Sequence, residues 1–155
     1  MGKVCHKTLK YDSSFDWKEV KILDIMEQID VSVIIVNFHT LNFTKEAVRS
    51  FLQNSQAFSY EIIIIDNSCD DNEFKGLQLV FGGNKKIRVF QTSSNIGFGK
   101  ANNFGASKAK GKYLYLLNED TILVNNACYF LFDFLENHPD ASMATSNLYT
   151  REMKP

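Results

Sequence analysis

The sequence predicts an α/β fold, a mainly parallel sheet flanked by helices. Two observations predict it. Four short apolar runs of strand length, rich in β-branched and aromatic residues, recur along the chain. Segments with apolar residues at helical spacing follow each of them. Such alternation places the strands parallel, joined by right-handed crossovers.

The first run is Val31-Ser32-Val33-Ile34-Ile35-Val36. It is nearly continuous, as suits a strand buried on both faces. Ala47, Val48, Phe51 and Leu52 then form one stripe of a helix. The second strand is Ile62-Ile63-Ile64-Ile65. A second helix carries Phe74, Leu77, Val80 and Phe81, opened by Asp70 and Glu73 as a capping box. The third strand, Ile87-Arg88-Val89-Phe90, bears a charge and is expected nearer an edge. Residues 97–110 give a third helix with Phe98, Ala101, Phe104 and Ala109, capped by Gly111. The fourth run, Tyr113-Leu114-Tyr115-Leu116-Leu117, is again continuous and expected to be doubly buried. A last helix presents Phe130, Leu131, Phe134 and Leu135, opened by Asn125 or Asn126 and stopped by Pro139.

Residues 1–30 precede the first strand. Asp16 and Glu19 could cap a helix holding Trp17, Val20, Leu23, Met26 and Ile29, and the segment reads as a helical or irregular N-terminal extension packed on the domain that follows at 31–155. The 155 residues, 45% hydrophobic and 23% charged, are enough for one domain with its own core. Net charge is −1, so no global field favours nucleic acid as a partner. Lys108, Lys110 and Lys112 make a small basic run that a solvated helix end explains. Cys5, Cys69 and Cys128 are far apart and read as reduced thiols of a cytoplasmic chain. His6, His39 and His138 form no metal-binding spacing. No apolar run approaches membrane-spanning length.

In open α/β sheets ligands sit outside the carboxyl ends of the strands. The residues there are Asn37-Phe38-His39, Asp66-Asn67-Ser68, Gln91 to Gly99 and Asn118-Glu119-Asp120-Thr121. Asp66 either forms an Asx turn or accepts a hydrogen bond from a base such as the imide of uracil or thymine. Asn118-Glu119-Asp120 is either a charged turn or, with phosphate present, a place for a divalent cation. Gly97-Phe98-Gly99 opens like a dinucleotide-binding fingerprint, but Asn102 replaces its third glycine and the segment follows the third strand. No phosphate-binding P-loop and no G-x-S-x-G elbow occur.

Four segments belong together: Val31 to Phe38, Ile65-Asp66-Asn67-Ser68 with Asp70, Asn95 to Gly105, and Leu116 to Thr121. In order and spacing they resemble a family 2 glycosyltransferase, most of all its rhamnosyltransferase-like branch, over roughly residues 31–150. The resemblance implies a GT-A fold, a Rossmann-like sandwich that binds a nucleotide-diphospho-sugar, UDP- or dTDP-linked. It implies that Asn37 and Phe38 line the nucleotide, partly through backbone, and that Asp66 accepts from the base. The turn at Asn95 and Gly97 would approach the nucleotide, with Asn103 supporting that loop. Asn118-x-Asp120 falls at the family's D-x-D motif, with Asp120 the ligand of Mg²⁺ or Mn²⁺ and Asn118 in place of the first aspartate. Glu119, at the variable middle position, would face solvent or sit just behind the ligands of the cation.

The resemblance further implies inverting transfer in bacterial surface polysaccharide synthesis. The acceptor would be a glycan or lipid-linked, met by a cytoplasmic enzyme at the inner membrane face. No catalytic base is named among the late acids Asp133, Glu136, Asp140 and Glu152; a base is expected beyond residue 155. The chain thus reads as a donor half. The alternatives are a truncated non-catalytic nucleotide-sugar-binding module and an unrelated doubly wound domain of receiver or flavodoxin type. A receiver would want clustered acids where Asn37-Phe38-His39 stand.

Overall fold

The computed structural model describes residues 28–150 and Glu152. The helix expected over Asp16–Ile29 lies outside the described residues apart from its last two positions. Eight elements alternate: β1 (Val31–Asn37), α1 (Leu41–Asn54), β2 (Tyr60–Asp66), α2 (Asp71–Phe81), β3 (Ile87–Gln91), α3 (Phe98–Ala106), β4 (Tyr113–Leu116) and α4 (Ala127–Asn137). The strands form one parallel sheet in the order β3-β2-β1-β4. The chain winds outward from β1 to β3 and then crosses back to the far side of β1. Because crossovers keep one hand, that reversal puts α3 on the opposite face from α1 and α2.

The pleat sorts the strand residues between two cores. Val31, Val33, Ile35, Ile62 and Ile64 pack with Val48, Phe51, Leu77, Phe81 and Cys128 on the face of α1, α2 and α4. Val36, Ile63 and Ile65 pack with Ala101, Phe104 and Phe90 on the α3 face. Each such buried aliphatic side chain contributes about 1.5–3 kcal/mol. Gly105 lets α3 lie close, since a Cβ there would fall 2.6 Å from Ile34 Cγ2.

At the amino edge a buried polar cluster ties the α3–β4 connection to the sheet. Glu61 Oε1 accepts from Ser32 Oγ at 2.8 Å and from the Lys110 N–H at 2.7 Å. Arg88 pairs with Glu61 Oε2 at 2.6 Å, offsetting the cost of burying that carboxylate. The Gly111 N–H donates to Ser32 Oγ at 2.8 Å, and a Cβ at Gly111 would lie 2.4 Å from the Ser32 nitrogen.

Several expectations need correction. Helix α3 ends at Ala106, so Gly111 is not its cap but a close backbone approach to β1. The fourth strand is not doubly buried: among the described residues β4 is an edge strand, with Leu114 and Leu116 exposed on the α3 side. Helix α4 turns a different face inward, burying Cys128 and packing Phe132, while Phe130 and Phe134 face out. The proposed capping box is half formed. Asp70 accepts from the Asn72 N–H, whereas Glu73 reaches across to the α1 N-terminus. The edge position of β3 is as expected. In the basic run, Lys108 lies over the Phe90 and Phe104 rings and Lys112 pairs with Glu136.

Burial pushes the Cys128 thiol up to about 12 from an ordinary 9.0. Tyr115 beside it is also held at about 12, chiefly by burial and then by Cys128. Both folded-state values are raised, so the stability they contribute is complete below pH 9 and is lost as pH climbs towards 12. Cys128 alone gives a loss of about 1.4 kcal/mol per pH unit in that window. Tyr115 is nearer solvent and adds a smaller share. Urea unfolding at stepped alkaline pH is expected to show this decline, and Cys128→Ala to flatten it. An unchanged slope in that variant would refute the assignment.

Candidate functional site

Asn37, Asp66 and Gln91 end β1, β2 and β3 and are Cα partners in one row across the sheet. Residues 118–120 follow β4 on the other side of β1. The strand order reverses between β1 and β4, so the chain connections diverge there, and in open α/β sheets the carboxyl edge at such a reversal is where a ligand crevice is expected.

The Asn37 side chain is fully buried and saturated. Its Nδ2 donates to Asp66 Oδ1 at 3.3 Å and to Glu73 Oε1 at 3.1 Å. Its Oδ1 accepts from Thr44 Oγ1 at 2.9 Å and Thr40 Oγ1 at 3.3 Å. Its side chain therefore joins β1 to α1, α2 and β2, leaving only its backbone for a ligand. Glu73 Oε1 also accepts the Leu41 N–H at 2.8 Å, capping α1 from another helix.

Asp66 is likewise fully buried. Its Oδ1 accepts from the Ser68 N–H at 3.1 Å and Ser68 Oγ at 2.6 Å, the Asx turn that the sequence allowed. Its Oδ2 meets one donor, Gln91 Nε2, at a long 3.4 Å. That oxygen is the weakly held one, and the half-buried Gln91 amide is its cover.

Asn67 was not singled out for a role from sequence, yet it organises the next loop. Its Oδ1 accepts from the Ile96 N–H at 3.0 Å and Thr92 Oγ1 at 3.0 Å. Its Nδ2 donates to Asn95 Oδ1 at 2.9 Å. Asn95 Oδ1 also accepts the Gly97 N–H at 2.9 Å, closing a turn into α3. Gly97 there has φ 81° and ψ 156°, a region that L side chains adopt only under strain. His39 and Cys69 take φ of 57° and 59° just past β1 and β2, so both loop starts carry residues in the left-handed region.

Asn103 does not support the loop as expected. It is exposed on α3 and its side chain makes no hydrogen bond among the described residues. The buried neighbour Asn102 donates to the Phe98 carbonyl at 3.1 Å instead. Phe38 is 45% exposed, its ring edge-on to His39.

Asn118 and Asp120 are both exposed and flank the more covered Glu119, which therefore is not the most solvent-facing of the three. The Asn118 carbonyl accepts the Thr121 N–H at 3.1 Å, so the segment is a turn. Asp120 has no ion pair among the described residues, and no group of three or more His, Cys, Asp or Glu stands ready for a metal there. One free carboxylate with an amide two residues away fits a hard cation that takes its remaining oxygens from phosphates and water. It does not make a self-sufficient metal cage.

The model for Glycosyl transferase family 2 matches residues 32–154. Glycosyltransferase GlyG of Streptococcus pneumoniae is 26% identical over 119 residues, 77% of this chain and 39% of that protein. An uncharacterized glycosyltransferase of Rickettsia bellii is 34% identical over 96 residues, 62% of this chain and 14% of that protein. The crystal structure of S. aureus TarS 1–349 superposes with a TM-score of 0.60 at 19% identity, covering 72% of this chain and 33% of that one. The chain therefore spans less than half the length of these relatives, and the TarS likeness bears on fold alone.

Proposed function

The chain belongs to glycosyl transferase family 2 and has a GT-A, Rossmann-like α/β fold, and from that premise we propose that it is the donor-binding part of a sugar transferase. The donor is a uridine- or thymidine-diphospho-sugar. The sugar passes with inversion to a glycan or lipid-linked acceptor in surface polysaccharide synthesis. The observation that carries the reading is the row Asn37, Asp66, Gln91 at the carboxyl edge, facing the Asn118–Asp120 turn across the reversal in strand order.

The base meets Asp66 through Oδ2, once the long-bonded Gln91 amide turns aside. A carboxylate accepts from the imide N–H of uracil or thymine, and the displaced Gln91 amide donates to the adjoining carbonyl. Cytosine offers an acceptor where the imide offers a donor, so it leaves Asp66 unpaired. The exposed Phe38 ring flanks the crevice. The turn through Asn95 and Gly97, pinned by Asn67, sets the wall beside the nucleotide. Asn118 and Asp120 would hold Mg²⁺ or Mn²⁺, which offsets charge on the leaving nucleoside diphosphate.

Inverting transfer also needs a carboxylate to take the acceptor proton. Glu136 is held by Lys112 at the start of β4, the sheet edge opposite the crevice. Asp133 lies one turn before it on α4, and Asp140 is exposed beyond that helix. We assign the base to none of them.

Calorimetric titration with UDP, dTDP and CDP, with and without Mn²⁺, tests the reading. UDP and dTDP are expected to bind in a Mn²⁺-dependent way. CDP should bind about tenfold more weakly or worse, the cost of leaving a buried acceptor unpaired. Absence of binding by every nucleotide would overturn the proposal.

A further inference from the structure

We propose that the outer face of α1 and α2 is a docking surface for an anionic lipid bilayer. The two helices lie side by side on one face of the sheet, with a groove of about 410 Å³ between them. Its apolar lining includes Val48, Leu52 and Val80, and its rim carries Lys45 and Arg49. Leu79, next to Val80 on α2, is 88% exposed, the largest exposure among the described large apolar side chains. It projects outward rather than lining the groove, as a side chain that enters a lipid layer must. Leu52 and Val80 are exposed beside it at 37% and 43%.

Cations surround these residues. Lys45 and Arg49 stand on α1, Lys75 one turn before Leu79 on α2, and Lys85 just past α2. The ion pairs among the described residues are Arg88 with Glu61 and Lys112 with Glu136, so none of these four cations is in one. The acids of these helices are Glu46 on α1 and, at the start of α2, Asp70, Asp71 and Glu73, of which Glu73 accepts from Asn37 and Leu41 and Asp70 from Asn72. The α2 acids sit in its first turn and no acid among the described residues lines the groove, so the part around Leu79 and the groove is locally positive on a chain whose net charge is −1. Positive charge around protruding apolar side chains matches anionic headgroups above acyl chains. A peptide would favour the concave groove and would not need Leu79. No helix among the described residues is long and apolar enough to cross a membrane, so attachment here is to the surface.

This face is separate from the crevice at the carboxyl edge, so the inference does not rest on the donor reading. The test is flotation of the full chain with phosphatidylcholine vesicles, with and without phosphatidylglycerol. Binding is expected only with phosphatidylglycerol, and to fall as salt is raised. Lys45→Gln with Arg49→Gln should weaken it about 25-fold, roughly fivefold per charge. Leu79→Ser should weaken it about tenfold while leaving the thermal midpoint and UDP titration unchanged. Lys110→Gln, on the α3 side, should leave it unchanged. No binding to phosphatidylglycerol vesicles overturns the proposal. So does an equal loss in Lys110→Gln, which would mean diffuse charge attraction. Sedimentation completes the test: self-association that is lost in the Lys45, Arg49 variant, without vesicle binding, would assign the face to a second copy and also overturn it.

Discussion

Asn37→Ala is expected to destabilise the fold by about 3–4 kcal/mol, measured as a shift in the urea unfolding midpoint at constant slope. The size follows from what the side chain holds. It is fully buried and spends both donors and its acceptor oxygen inside the protein. Its loss leaves the fully buried Thr44 hydroxyl without its acceptor and removes one donor each from Asp66 and Glu73. Buried polar groups left unpaired cost about 1–3 kcal/mol each, and the small cavity adds to that. Asn37→Asp keeps the shape but turns an acceptor towards two carboxylates, so it should do no better. The loss should also reach the crevice, because Asn37 orients Asp66. A midpoint change worth less than about 1 kcal/mol would refute the hub role.

That hub was only partly legible in the sequence. The strands were, because Ile62 to Ile65 and Val33 to Val36 have no polar interruption and every one of them is buried. Helices α1 and α2 were, because Val48, Phe51, Leu77 and Phe81 repeat at helical spacing and fill the core. Helix α4 was misphased because Tyr129, Phe130, Leu131, Phe132, Phe134 and Leu135 ring it almost completely. With no polar face to orient it, its rotation is set by non-local packing of Cys128 and Phe132 against Tyr115, Tyr113 and Phe58. For β4, a doubly buried pattern says what the residues prefer, not which neighbours cover them.

At the candidate site, the strand-end places of Asn37, Asp66 and residues 118–120 could be read from the apolar runs before them, while their roles rest on the family resemblance. Gln91 was marked as a strand end and Glu73 as part of a capping box, but their bonds to Asp66 and Asn37, like that of Thr44, join separate elements and leave no mark on local spacing. The phase of α3, which turns Asn102 inward and Asn103 outward, was not read from the sequence. The signal lay in Ala101 and Gly105, small residues four apart that let α3 close on Ile34 and bury Asn102. Asn67 stood beside Asp66 in the motif, but its reach to Asn95 and Ile96 depends on β3 pairing with β2.

Asp120→Ala should do the reverse of Asn37→Ala, sparing the fold and removing ligand binding. Asp120 is exposed and without an ion pair among the described residues, so its loss should move stability by no more than about 0.5 kcal/mol. It is also the only carboxylate of the turn positioned by the D-x-D resemblance, Asn118 having no charge to replace it. A cation with so few protein ligands depends on each of them. Mn²⁺-supported UDP affinity is therefore expected to fall about 50- to 100-fold, to the level seen without metal, the worth of one strong charge interaction. Uridine carries no diphosphate and its binding should not change. Asn118→Asp should act in the opposite sense, strengthening Mn²⁺ dependence by restoring a second charge. Retention of metal-dependent UDP binding in Asp120→Ala, with loss in Glu119→Ala instead, would move the cation to the middle position. Because Glu119 is the more covered of the two acids, that outcome would also require the turn to reorganise around the ligand.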